Sequence, residues 1–152
     1  MDDIFDGLVG CMFAGVYVSK GDEWADKEPE GSVMITGWPK GDHRECVPIA
    51  LITTDAECCS ETWFADICGA VAAYSGIITA ARWLDLPDVN DDRSRQEFDQ
   101  VYGFEIVTTN GPVTFAFRNS SNGYYGGDAL RLPLDEVANF AWRLITTNDW
   151  QA

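Results

Sequence analysis

Two alternating apolar runs, residues 102–109 and 113–118, flank the dipeptide Asn110-Gly111. Successive side chains of a strand point to opposite faces, and Asn-Gly is the pair that most readily takes the positive φ of a tight hairpin turn. The stretch therefore predicts an antiparallel pair, and the rest of the chain has to be built onto a sheet that is at least partly antiparallel.

Other segments add to that sheet. Residues 8–18 alternate weakly around Gly10 and Gly15, which predicts a strand with a bulge or a close backbone approach. Residues 33–36 read as a short strand. Residues 47–54 read as a central one, with Pro48 near its start where a missing donor is tolerated. Residues 77–86 and 129–132 complete the set. Two helices are expected. In the first, over 61–74, Ser60 is the N-cap, Glu61 sits in the first turn, and Trp63, Phe64, Ile67, Val71 and Tyr74 recur at helical spacing before Ser75-Gly76 stops it. The second covers 134–147, begun by Pro133 and Asp135, with Val137, Phe140, Ala141, Leu144 and Ile145 on one face. The expectation is one α+β domain over residues 1–152: a mostly antiparallel sheet of about five to seven strands with two helices packed on one face.

Charge narrows the partners. Twenty-five acidic against ten basic side chains give a net charge of −15. Nucleic acid and anionic membrane are bound through Lys and Arg, so neither is an expected ligand; a basic protein surface is. The excess is concentrated in two polar stretches. One spans 20–31 with Asp22, Glu23, Asp26, Glu28 and Glu30; the other spans 85–99 and includes Asp85, Asp88, Asp91 and Asp92. The opening Met1-Asp2-Asp3 is unlike a basic secretory leader, and no apolar run is long enough to span a bilayer, so a cytoplasmic protein is expected.

No catalytic constellation completes itself. His43, the single histidine, with Cys46, Cys58, Cys59 and Cys68 offers zinc-type donors, but the spacing does not form two close pairs, and buried free thiols are the plainer reading. Cys59 ahead of a helix start would favour a thiolate, yet Glu57 and Glu61 oppose it. The loop 119–127 is rich in Gly and hydroxyls but lacks the Gly-Lys-Ser/Thr ending of a phosphate-binding loop; Tyr124 and Tyr125 there are candidate contact residues. Neither an enzymatic activity nor a cofactor is expected.

The runs Asp55-Ala56-Glu57-Cys58-Cys59-Ser60 and Arg118-Asn119-Ser120-Ser121-Asn122-Gly123-Tyr124-Tyr125-Gly126-Gly127 resemble a family of small proteins of bacteriophages and prophages. That family has an acidic residue ahead of a Cys-Cys pair, followed by an aromatic residue and an Ile-Gly helix. The resemblance implies a phage context and brings no activity. Together with the charge it leads to an expected function: an anti-CRISPR or other anti-defence inhibitor in the host cell. Its partner-binding residues would be Asp22, Glu23, Asp26, Glu28, Glu30, Asp85, Asp88, Asp91, Asp92, Tyr124 and Tyr125. The alternative is a small-ligand or zinc domain using the Cys58-Cys59 corner and the 119–127 loop.

Overall fold

A computed structural model describes residues 3–19, 31–56, 61–86, 98–121 and 127–152. After a 3-10 turn at Asp3–Phe5, the described chain forms β1 (Met12–Ser19), β2 (Ser32–Trp38), β3 (Val47–Ala56), β4 (Glu61–Cys68), β5 (Ile78–Leu84), β6 (Phe98–Thr108), β7 (Gly111–Ser121) and β8 (Gly127–Leu132). A second 3-10 segment, Leu134–Asn139, is followed by β9 (Trp142–Leu144) and β10 (Asp149–Gln151). The strands make two five-stranded antiparallel sheets, in the orders β8-β3-β2-β1-β9 and β10-β4-β7-β6-β5.

The α+β expectation is overturned: the described chain is nearly all β, and its longest helical stretch is the six-residue 3-10 segment. The helix expected over 61–74 is β4 followed by a strap, residues 69–77. In β4 the register slips between Phe64 and Asp66, so the fully buried Phe64 and Ile67 stand three residues apart on one face and imitate a helical period. Only the strap coils, with Ala73 N donating to Gly69 O at 3.1 Å, and it turns Val71 and Tyr74 outward. In the helix expected over 134–147, the chain extends again at Phe140 (φ −119°, ψ 153°), and β9 pairs with the open side of β1. Trp142, Thr146 and Thr147 are weak helix formers, and the ladder on β1 offers their backbone an alternative. No helix among the described residues is long and apolar enough to cross a membrane.

The expected hairpin is present as β6–β7, in register from Thr108↔Gly111 to Phe98↔Ser121. Its loop residues are Thr109 and Asn110. Gly111 (φ +118°), the first residue of the returning strand, carries the positive φ. The strand expected over 8–18 starts only at Met12 and has its bulge between Phe13 and Gly15.

Both sheets face one core. The first contributes Phe13, Val16, Val18, Val33, Ile35 and Ile52, and the second Phe64, Ile67, Phe104, Ile106, Phe115 and Phe117. Cross-strand register stacks Phe104 on Phe115 (centroids 4.7 Å apart) and Tyr102 on Phe117 (5.2 Å), with Phe64 edge-on to both phenylalanines of β7. Arg131 of β8 ties the N-terminal segment to this body. Its Nη1 donates to the carbonyls of Ile4 (2.9 Å) and Asp6 (3.0 Å), and its Nη2 to that of Ile49 (3.0 Å). Burial lowers the pKa of this guanidinium, and Asp6 partly offsets the effect. An ammonium cannot span three carbonyls as the guanidinium fork does. Arg131→Lys should cost about 1 to 3 kcal/mol and speed amide exchange at residues 4–8; unchanged protection there would show that the fork is not what holds the segment.

Candidate functional site at the acidic end of the sandwich

Strand direction decides which loops meet. β1, β3, β5 and β7 run one way and their partners the other. Thr54, near the end of β3, lies with its Oγ1 3.1 Å from the carbonyl of Thr62, near the start of β4, which fixes the two sheets in phase. The connections 20–31, 57–60, 85–97 and 122–126 therefore all leave from and return to one end, the upper end. Every sequence-derived contact residue belongs to one of these connections. Asp85 is described, just past β5 and exposed. Asp22, Glu23, Asp26, Glu28, Glu30, Asp88, Asp91, Asp92, Tyr124 and Tyr125 lie outside the described residues, as do Cys58 and Cys59. The loop expected over 119–127 is shorter than the sequence indicated, because Asn119, Ser120 and Ser121 belong to β7 and pair with neighbouring strands.

The pairing of β3 with β8 adds a feature that no local sequence signal marks. Asp55 stands directly opposite Asp128 at the upper end, and both are exposed. Like charges facing each other across a ladder weaken it, so the arrangement is a local rule broken at the very end where the acidic stretches are anchored. Asp128 Oδ1 is engaged by the amide of Ala129 at 2.8 Å.

Beneath this rim runs a seam of polar side chains. Ser19 Oγ takes the amide of Ser32 (3.2 Å); Ser32 Oγ donates to Thr53 Oγ1 (2.8 Å), which in turn reaches the carbonyl of Gly31 (3.2 Å). On the other sheet Asn119, fully buried, donates Nδ2 to Thr62 Oγ1 at 2.9 Å, while its Oδ1 has no partner among the described residues. An orphan carbonyl in the interior costs about 1 to 3 kcal/mol. Removing it with Asn119→Leu together with Thr62→Val should leave stability within about 1 kcal/mol of the parent, whereas Thr62→Val alone, which also orphans Nδ2, should destabilise. Denaturant titration of the two variants checks this.

The opposite, lower end is chemically different. Lys40, His43, Arg44 and Cys46 are exposed in the β2–β3 connection. The Arg44 guanidinium, 3.0 Å from Asp42, holds that exposed carboxyl below its ordinary range. Cys68 ends β4 at this lower side, and Glu61 begins it above. Seven steps of strand separate them by about 23 Å, and the Cys58 and Cys59 of the expected zinc-type donors lie outside the described residues. Among the described residues no three His, Cys, Asp or Glu side chains lie close enough to hold a metal. Cys11, the remaining thiol, is buried and donates to Gly7 O at 3.2 Å.

No curated protein and no solved structure matches the chain. A family match covers residues 43–130, which hold β3 through the greater part of β8 and, with them, three of the four upper connections. The acidic stretch at 20–31 lies outside it. By this match, which spans more than half of its length, the chain belongs to the family described as domain of unknown function DUF7448.

Proposed function

We propose that this protein is a phage-type inhibitor of a host defence complex, anti-CRISPR or similar, whose carboxylates occupy a basic surface that otherwise receives nucleic-acid phosphates. One observation carries the reading: strand direction anchors both acidic stretches, and the opposed Asp55 and Asp128, at a single end. Charge gathered on one end steers association with a basic partner, where an even spread would serve solubility alone. The phage context comes from the resemblance of the Cys-Cys corner and the Arg118–Gly127 run, and the partner is a basic protein or complex in the host cytoplasm.

The test is a variant with Asp85, Asp88, Asp91 and Asp92 all changed to Asn, measured against a candidate defence complex across a salt series. Association should slow by about one to two orders of magnitude at low salt and become less salt-dependent, with the denaturation midpoint unmoved. An unchanged rate and an unchanged salt slope would sink the proposal. A second reading, a small-ligand domain at the same end, is favoured by Asn119 Oδ1, which has no partner among the described residues and stands at the start of the 119–127 stretch. Native mass spectrometry of the purified chain separates the two, through a partner complex in one case and a retained small mass in the other.

A further inference from the structure

We propose that Asn110 is a site of spontaneous, one-way modification that releases the strap at the lower end. Asn110 is exposed at the β6–β7 turn, and the residue after it is glycine. A cyclic imide forms when the backbone nitrogen of the following residue reaches the asparagine side-chain carbonyl, and a β-carbon on that following residue is the chief obstacle. Gly111 has none, and the space where one would stand is empty to 4 Å. The other asparagines among the described residues lack this opening. Asn119 is fully buried and precedes Ser120, Asn139 precedes Phe140, and Asn148 precedes Asp149.

The chemistry is self-contained apart from water. The Gly111 amide gives its proton to solvent and its nitrogen bonds to Asn110 Cγ; the Cγ–Nδ2 bond breaks and Nδ2 departs as ammonia. Water then opens the imide at either carbonyl, yielding aspartate or isoaspartate. Nothing is oxidised or reduced.

The structure gives this event a consequence. Asn110 Nδ2 donates to the carbonyl of Tyr74 at 2.8 Å, one of three side-chain ties on the strap among the described residues. The others are Asn148 Oδ1, which accepts from the amides of Val71 (3.0 Å) and Ala72 (2.8 Å), and Thr109 Oγ1, which accepts from Ile77 (3.0 Å). A carboxylate cannot donate, so the product sets two acceptors against each other where a hydrogen bond stood. Isoaspartate also lengthens the turn by one backbone atom and disturbs the Thr108↔Gly111 pair. The strap that loosens carries the exposed Val71 and Tyr74, with Tyr74 edge-on to Trp38 at 6.1 Å.

The experiment ages the full chain, with Asn122→Ser to silence the other Asn-Gly pair, at neutral and at mildly alkaline pH. Peptide mapping and amide exchange follow. Expected are aspartate and isoaspartate at Asn110, appearing faster at the higher pH, with Asn119, Asn139 and Asn148 intact and exchange at residues 71–77 accelerated in the aged sample. Asn110 left intact over a period in which the excised peptide 106–114 converts fully would overturn the site. Conversion with no change in exchange at the strap would overturn its coupling to that segment.

Discussion

Gly69→Ala is expected to destabilise the protein by about 3 kcal/mol or more, from a residue that makes no side-chain contact at all. Gly69, the first residue after β4, has φ +87°, and a β-carbon there would lie 2.3 Å from the carbonyl oxygen of Pro112. The left-handed conformation accounts for about 1 to 2 kcal/mol by itself. The collision adds to it because neither side can yield freely. Gly69 N is bonded to Asn148 O (2.9 Å) and its carbonyl accepts from Ala73, while Pro112 is held in the β6–β7 ladder. Gly41 provides the control, since it also has positive φ (+81°) but nothing within 4 Å of a built β-carbon. Gly41→Ala should show the conformational penalty alone. Equal midpoints for the two variants in denaturant would mean that the approach to Pro112 carries no energy.

Phe104→Ala should cost about 3 to 5 kcal/mol, a large part of the about 5 to 15 kcal/mol that a domain has in total. Phe104 is fully buried and sits where four other rings converge: stacked on Phe115, edge-on to Phe64 and Trp83, and tilted against Phe5 at 5.6 Å. Those rings come from β4, β5, β7 and the N-terminal segment, so the void cannot collapse by shifting any one element. Phe104→Leu, which keeps most of the volume, should cost less than about 2 kcal/mol. Similar unfolding midpoints for the two variants would show that this cluster repacks freely.

The sequence made the ladders legible and misled on the helices, and the presence or absence of a bulge explains the hairpin and the first of the two helices. β6 and β7 pair over eleven residues with no slip in register, and period two is plain in the text over 102–109 and 113–118. β1 and β4 each slip by one residue, which puts Phe13 and Val16, and likewise Phe64 and Ile67, three apart on the buried face. A three-residue recurrence is also how a helix presents a face, and only the neighbouring strand tells the two apart. The site was legible as composition: two acidic stretches, with no indication that they share an end. That came from the direction of strands paired over long separations, as did the Asp55–Asp128 opposition, whose members lie 73 positions apart with no local mark on either.

The last two strands join the sheets in a way that bears on how the protein is made. β9 adds to the side of β1 and β10 to the side of β4, with only residues 145–148 between them. Until those residues leave the ribosome, β1 and β4 each present an unpaired stretch of backbone to solvent. Open edges of that kind are templates for pairing with another chain. A nascent chain stalled before Trp142 would therefore be a sticky species although most of its core residues have already been synthesised, and contacts linking residue 17 to residue 144 make the closing step a slow one. The ten residues from Trp142 to Gln151 thus act as the chain's own safeguard against aggregation, covering edges that the strands made before them leave open.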